Sequence, residues 1–188
     1  MEDKVIFIKV VLFVVISAIL IYFSRSSLKN PQSHGFYRFF AWEGIIAVVL
    51  LNVDSWFTNP SSFFQIISWF LLIISAYLII QGIILLRVSG SPNETRQDSS
   101  LVGFEKTTKL VVEGVYRYIR HPFYCSLLFL CWGAFLKSIS WAGLMLSLAA
   151  TLFLILTAKV EEKENIRYFG SEYKAYMKKT KMFIPFVA

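Results

Sequence analysis

Gly114-Val115-Tyr116-Arg117-Tyr118-Ile119-Arg120-His121-Pro122-Phe123-Tyr124 packs two arginines, a histidine, a proline and three tyrosines into eleven residues, and the chain on either side is mostly hydrocarbon. A polar knot at the mouth of an apolar run needs a physical reason. Pro122 suits the first turn of a helix, where its missing N–H costs nothing. His121 then falls near the N-cap. A helix starting here points unsatisfied N–H groups and a partial positive charge back at the knot. Arg117 and Arg120 add two cations within about one turn. Together they make an anion site suited to a carboxylate or a phosphate. The alternative is that both arginines mark one membrane face or bind lipid phosphates.

Outward from the knot, the chain reads as membrane protein. Of its 188 residues 56% are hydrophobic and only 16% charged, and the mean hydropathy is +0.60. A soluble domain of this size needs more polar surface. The net charge of +7 raises the question of nucleic acid. Its distribution answers it, because the cations flank apolar runs: six Lys/Arg over residues 87–121, seven over 159–188, and Arg25, Lys29 and Arg38 between the first two runs. No nucleic-acid partner is expected.

Five apolar runs, at residues 4–24, 36–55, 62–88, 122–136 and 141–158, predict five transmembrane helices. The fourth is short for a crossing, and residues 137–140 turn it into the fifth as a hairpin. Beyond Lys159 a rough helical recurrence of Val160, Ile166, Phe169, Tyr173, Tyr176 and Met177 predicts a helical extension, interrupted at Gly170. The expected class is an all-α integral membrane protein of one domain, residues 1–188. It divides into three N-terminal spans (1–88), a cytoplasmic loop with the cofactor segment (89–121), and a catalytic hairpin with its tail (122–188). Lys/Arg counting places the N-terminus outside and the C-terminus in the cytoplasm, with Lys137 as the single dissenter. Residues 89–100 read as a mobile loop, a possible lid. Lys9 sits near enough to a span end to snorkel. No cleavable signal is evident before the first span. Cys125 and Cys131 lie six apart with no second pair, so they read as small buried hydrophobes and no metal site is expected.

Counting spans also brings Glu161 and Glu162 to the membrane face that carries the knot. Two adjacent carboxylates at a bilayer rim are costly unless water, cations or a ligand meet them. Helical neighbours point about 100° apart, so one can face a pocket while the other pairs with Arg or Lys. The alternative is a solvated helix face with local pairs such as Glu162–Lys163 and Glu164–Arg167. The joint pattern suits a ligand with an acidic end and a hydroxyl-bearing or cationic end.

The knot, then Glu161-Glu162, then Tyr168-Phe169-Gly170-Ser171-Glu172-Tyr173, then Ile184-Pro185-Phe186 resembles the isoprenylcysteine carboxyl methyltransferases. The related phospholipid N-methyltransferases share much of the pattern. The resemblance covers about residues 101–188, and the first three spans match only in character. The short chain is similar to prokaryotic members. The resemblance implies a multi-pass membrane enzyme that uses S-adenosyl-L-methionine and leaves S-adenosyl-L-homocysteine. Carried over residue by residue, it implies a cofactor site of Thr108, Lys109, Leu110, Val111, Tyr116, His121, Pro122, Phe123, Tyr124 and Glu161. Where the family has a substrate arginine, a turn before that glutamate, this chain has Thr157.

The implied reaction is methylation of the C-terminal carboxylate of an isoprenylated cysteine. Such an acceptor is already ionised, so alignment and exclusion of water do the catalytic work. Arg120, Glu161 and Glu162 are the expected catalytic residues. Arg120, His121 and the helix end take the donor's carboxylate, and Glu161 its ribose hydroxyls or amino group. The lipophilic substrate enters from the bilayer among membrane lipids. The oligomeric state is open. Competing readings are N-methylation of a lipid amine or methylation of another lipophilic small molecule, a nicotinamide-dependent sterol-type reductase, and a non-enzymatic membrane protein.

Overall fold

The apolar runs form helices in a computed structural model that describes residues 2–92 and 105–185. In chain order they are α1 (Glu2–Leu28), α2 (His34–Asn52), α3 (Phe63–Ser89), α4 (Pro122–Phe135), α5 (Trp141–Phe169) and α6 (Ser171–Lys179), with single 3-10 turns at Val53–Ser55 and Gly114–Arg117. Ser62 caps α3 by accepting from Gln65 N, and Ser140 caps α5 by accepting from Gly143 N. Among the described residues the only pairings outside helices are two isolated bridges, Pro92 with Thr107 and Ile119 with Lys181. The expected loop at residues 89–100 falls largely outside the described residues, as does Phe186. Ser89 still belongs to α3.

Four helices, Asp3–Leu28, His34–Ser55, Phe63–Ser89 and Trp141–Phe169, are long and apolar enough to cross a membrane. The remaining expected span, α4, is an apolar helix below that length. α4 has 14 residues, so it reaches about 21 Å, short of a hydrocarbon core of roughly 30 Å. None of its residues is exposed. A helix apolar on all sides is buried either by lipid or by protein, and here α2, α3 and α5 bury it. α3 is its most extensive neighbour, while α5 packs chiefly along α2. The core runs through Ala41, Ile45 and Val48 of α2, Cys131 and Ala134 of α4, and Ala150 and Leu154 of α5. Gly44 lets α2 and α5 approach closely, since a Cβ there would stand 3.1 Å from Ala150 Cβ. α1 touches the bundle through α2 and leaves most of its apolar side chains exposed.

A short inner helix leaves carbonyl groups stranded at its C-terminus. Side chains from α2 and α3 answer them. Asn52 Nδ2 donates to Ala134 O at 2.9 Å and Phe135 O at 3.3 Å, and Ser68 Oγ donates to Gly133 O at 2.7 Å. Lys137, which follows the helix, is buried; its Nζ donates to Gln65 Oε1 at 3.0 Å and sits 3.6 Å from the Trp69 ring centroid. Its ammonium is therefore held by side chains of α3. Lys9 likewise donates to Asp54 Oδ2, beyond the far end of α2.

At the opposite end of the bundle, α5 continues past its apolar part through Glu161 and Glu162 until Gly170 (φ +61°) breaks it. α6 then folds back beneath. The segment after α6 runs beside the knot: Arg120 N donates to Lys181 O, His121 N to Met182 O, and Lys181 N to Tyr118 O.

Candidate active site

Gly114, at φ +56°, opens the knot with a turn that a side chain would obstruct; a Cβ there would lie 2.6 Å from Leu85 Cδ1. The 3-10 turn that follows buries Tyr116, whose carbonyl accepts from Tyr176 Oη at 2.6 Å. Burial, and next the negative charge of Glu161, push the Tyr116 phenol well above its ordinary pKa. Pro122 then starts α4, with His121 at its N-cap.

The two adjacent glutamates diverge, as a helix requires. Glu162 turns to Arg120, whose Nε donates to Glu162 Oε1 at 2.6 Å; both side chains are only 9% exposed. Arg120 Nη1 also donates to Thr180 O at 2.5 Å and Met177 O at 3.4 Å, so the guanidinium fastens α5 to the tail. Glu161 turns to a cavity and accepts from Tyr124 Oη. His121 lies between them, with Nδ1 3.8 Å from Glu161 Oε2 and Nε2 3.5 Å from Glu162 Oε1, and its ring stacks on Tyr124. That buried Nε2 makes no hydrogen bond of good geometry.

The cavity holds about 630 Å³ of space, including the part open to solvent. Leu110, Val111, Tyr116, Arg120, His121, Pro122, Phe123, Tyr124 and Glu161 line it. Thr108 and Lys109 do not. The Thr108 hydroxyl donates to Ser91 O, and Lys109 is exposed. Arg117 is exposed on a separate groove with Lys179. Thr157 is fully buried and its hydroxyl donates back to Phe153 O at 2.7 Å.

Several groups at this end were not among the expected site residues. Leu86 of α3, Glu105 and Thr107, and Asn165, Phe169, Tyr173 and Tyr176 complete the lining. Burial and then the charges of Glu161 and Glu162 raise the Tyr173 phenol; burial raises that of Tyr176. α2 adds a histidine and an arginine. His34, wholly buried, pairs its Nδ1 with Glu164, and Arg38 Nη1 donates to Glu105 Oε2 at 3.1 Å. One signal was available: Glu161 and Glu164 are spaced i, i+3, on one helix face. Nothing in the local sequence marks His34 or Arg38 as partners of residues more than sixty positions away.

No solved structure matches the chain. Among curated proteins, it is 28% identical over 71 residues to the methanethiol S-methyltransferase of Pseudomonas deceptionensis (38% of this chain, 26% of that one). It is 27% identical over 79 residues to that of Crocosphaera subtropica (42% and 30%). It is 31% identical over 87 residues to methanethiol S-methyltransferase 1 of Bradyrhizobium diazoefficiens (45% and 30%). The matched stretches thus span less than a third of these relatives. A family model described as phospholipid methyltransferase matches residues 64–172. The match takes in α3, α4 and α5, the helices from which Leu86, Tyr124 and Glu161 enter the cavity, and it starts earlier than the C-terminal motifs alone would place it. With more than half of its length so matched, the chain belongs to the phospholipid methyltransferase family.

Proposed function

We propose that the chain is an S-adenosylmethionine-dependent methyltransferase of the membrane that acts on a lipophilic acceptor, with the C-terminal carboxylate of an isoprenylated cysteine as the acceptor to try first. The observation that carries the reading is the division of labour between neighbours. Glu162 is spent on Arg120, while Glu161 lines the cavity beside Tyr124 and His121.

The residues present fit the donor. The Glu161 carboxylate suits its ribose hydroxyls or amino group. Tyr116, Phe123 and Tyr173 supply an apolar and aromatic wall for adenine. Pro122 and Phe123 present the N-terminal turn of α4, whose positive end suits the donor's carboxylate. Arg120 is largely taken up by Glu162 and the tail carbonyls, so its part here is to position the cavity wall. When bound, the donor supplies an electrophilic methyl group on a sulfonium. The chain's residues hold, orient and exclude water. The acceptor's tail enters from the bilayer and the donor from the cytoplasm, with the N-terminus outside.

A thiol acceptor is the second reading. It is favoured by the matched relatives, named as methanethiol S-methyltransferases, and by Thr157, whose hydroxyl is turned back on its own helix. An amine acceptor would need a base to take its proton. The test offers purified protein methyl-labelled donor with N-acetyl-farnesylcysteine, a long-chain thiol or phosphatidylethanolamine. Label in the farnesylcysteine product alone supports the first reading. Label in the thiol alone moves the assignment to the second. No label anywhere, with no donor binding by calorimetry, overturns both.

A further inference from the structure

A methyl acceptor that attacks as an anion needs a cation beside it, and the obvious cations of the knot are occupied or turned away. Arg120 is engaged by Glu162 and by the carbonyls of Thr180 and Met177. Arg117 is exposed on another groove. Lys109 is exposed outside the cavity, and Thr157 has no charge to offer.

Arg38 differs. It enters from α2, a helix outside the matched region, with its side chain 18% exposed, and donates through Nη1 to Glu105 Oε2 at 3.1 Å. Arg38 is not itself part of the cavity lining; it stands behind Glu105, which lines the cavity with Glu161 and Tyr124, and its charge acts on both of those groups. A guanidinium whose carboxylate partner forms part of the cavity wall holds that carboxylate where another anion could replace it. Its planar fork suits a carboxylate through two parallel hydrogen bonds and a thiolate through charge.

We propose that Arg38 is the acceptor-specificity residue: its guanidinium meets the anionic nucleophile of the methyl acceptor, a carboxylate or thiolate on an apolar stem, in place of Glu105. The inference rests on the methyltransferase reading above. In the step it serves, a lone pair on the acceptor's oxygen or sulfur forms a bond to the methyl carbon. The carbon–sulfonium bond breaks with its electron pair returning to sulfur, and the acceptor's negative charge is lost; a carboxylate enters already ionised, whereas a thiol first releases its proton to solvent. Arg38 therefore contributes most before the transfer, and its loss appears mainly in acceptor KM.

The test compares opposite ends of one ion pair in labelled-methyl assays with N-acetyl-farnesylcysteine, a long-chain thiol and phosphatidylethanolamine. Arg38→Gln is expected to raise KM for the anionic acceptor about ten- to a hundredfold, the range for losing a hydrogen bond to a charged group. Donor Kd by calorimetry stays unchanged, and Arg38→Lys recovers part of the loss. Glu105→Gln, by releasing the guanidinium, is expected to lower the same KM about two- to fivefold. A purely structural ion pair would instead make both variants lose acceptor affinity and thermal stability together, which overturns the proposal. So does transfer to phosphatidylethanolamine alone, indifferent to Arg38→Gln. If Arg38→Gln does not fold, the sign of the Glu105→Gln effect decides. No transfer by the wild-type protein to any acceptor overturns the methyltransferase reading and this inference with it, whereas active wild type with an unresponsive Arg38 overturns the inference alone.

Discussion

Arg120 and Glu162 form a 2.6 Å ion pair with both side chains nine-tenths buried, and the same guanidinium reaches the carbonyl of Thr180. The pair therefore joins α4's entrance, α5 and the tail at one point. Removing one partner strands a buried charge, which costs about 3–5 kcal/mol. Glu162→Ala should accordingly lower thermal stability sharply, and Arg120→Ala should do the same. Unfolding in detergent followed by circular dichroism checks this; a drop under about 1 kcal/mol would mean the pair is solvated.

Glu161→Gln is the contrasting substitution. Glu161 faces the cavity and, among the described residues, accepts one direct hydrogen bond, from Tyr124 Oη, so stability should change little. Donor affinity should fall about ten- to a hundredfold, the worth of a hydrogen bond to a charged group. Isothermal calorimetry with S-adenosylmethionine reads it. Tyr124→Phe should cost less, because it leaves the carboxylate in place.

Asn52→Leu tests how the inner helix ends. The Asn52 amide is buried and serves the carbonyls of Ala134 and Phe135. Leucine fills the space but removes both bonds, leaving Ala134 O and Phe135 O with only the 3.3 Å backbone bonds from Lys137 N and Ser138 N, at about 0.5–1.5 kcal/mol for each bond lost. Chemical unfolding midpoints measure the loss, and donor affinity should hold because the cavity lies at the other end of the bundle.

Gly170→Ala isolates a backbone effect. No atom lies within 4 Å of the position a Cβ would take, yet φ is +61°. The expected cost is about 1–3 kcal/mol from conformation alone, read as a lower unfolding temperature. A neutral result would mean that α5 and α6 can join through another backbone geometry.

Alkaline pH supplies a fifth perturbation. Tyr116, Tyr173 and Tyr176 all have phenols raised above their ordinary range, by burial first in each case. The unfolded chain loses those protons near pH 10 while the folded chain keeps them. Above that pH the unfolded state binds fewer protons, so stability falls as pH rises. The unfolding temperature should decline from about pH 10 upward, and Tyr173→Phe should flatten the decline.

The helices and the knot were legible because they depend on neighbours in sequence. Apolar runs, Pro122 at a helix start and Gly170 at a break each act over a few residues. The protein sheath around α4 was not, because hydropathy measures the side chains and not what covers them: α4 is as apolar as a membrane span and is packed by α2, α3 and α5. Lys137 looked like a topological dissenter for the same reason, as nothing local reveals Gln65 and Trp69 waiting for it. Within the site, Glu161 and Glu162 could be separated by helical geometry alone. The pairing of Arg38 with Glu105 and of His34 with Glu164 joins segments 67 and 130 residues apart, beyond any periodicity.

The pairing of residues 118–121 with 181–182 sets an order on biosynthesis. The hydrogen bonds from Arg120 and His121 to Lys181 and Met182 require residues that leave the ribosome after every helix of the bundle. The helices can insert as they emerge, yet the wall beside His121 waits for synthesis to pass residue 182. A chain cut short before residue 181 would lack the partners of Arg120 N and His121 N and leave that wall of the cavity unfinished.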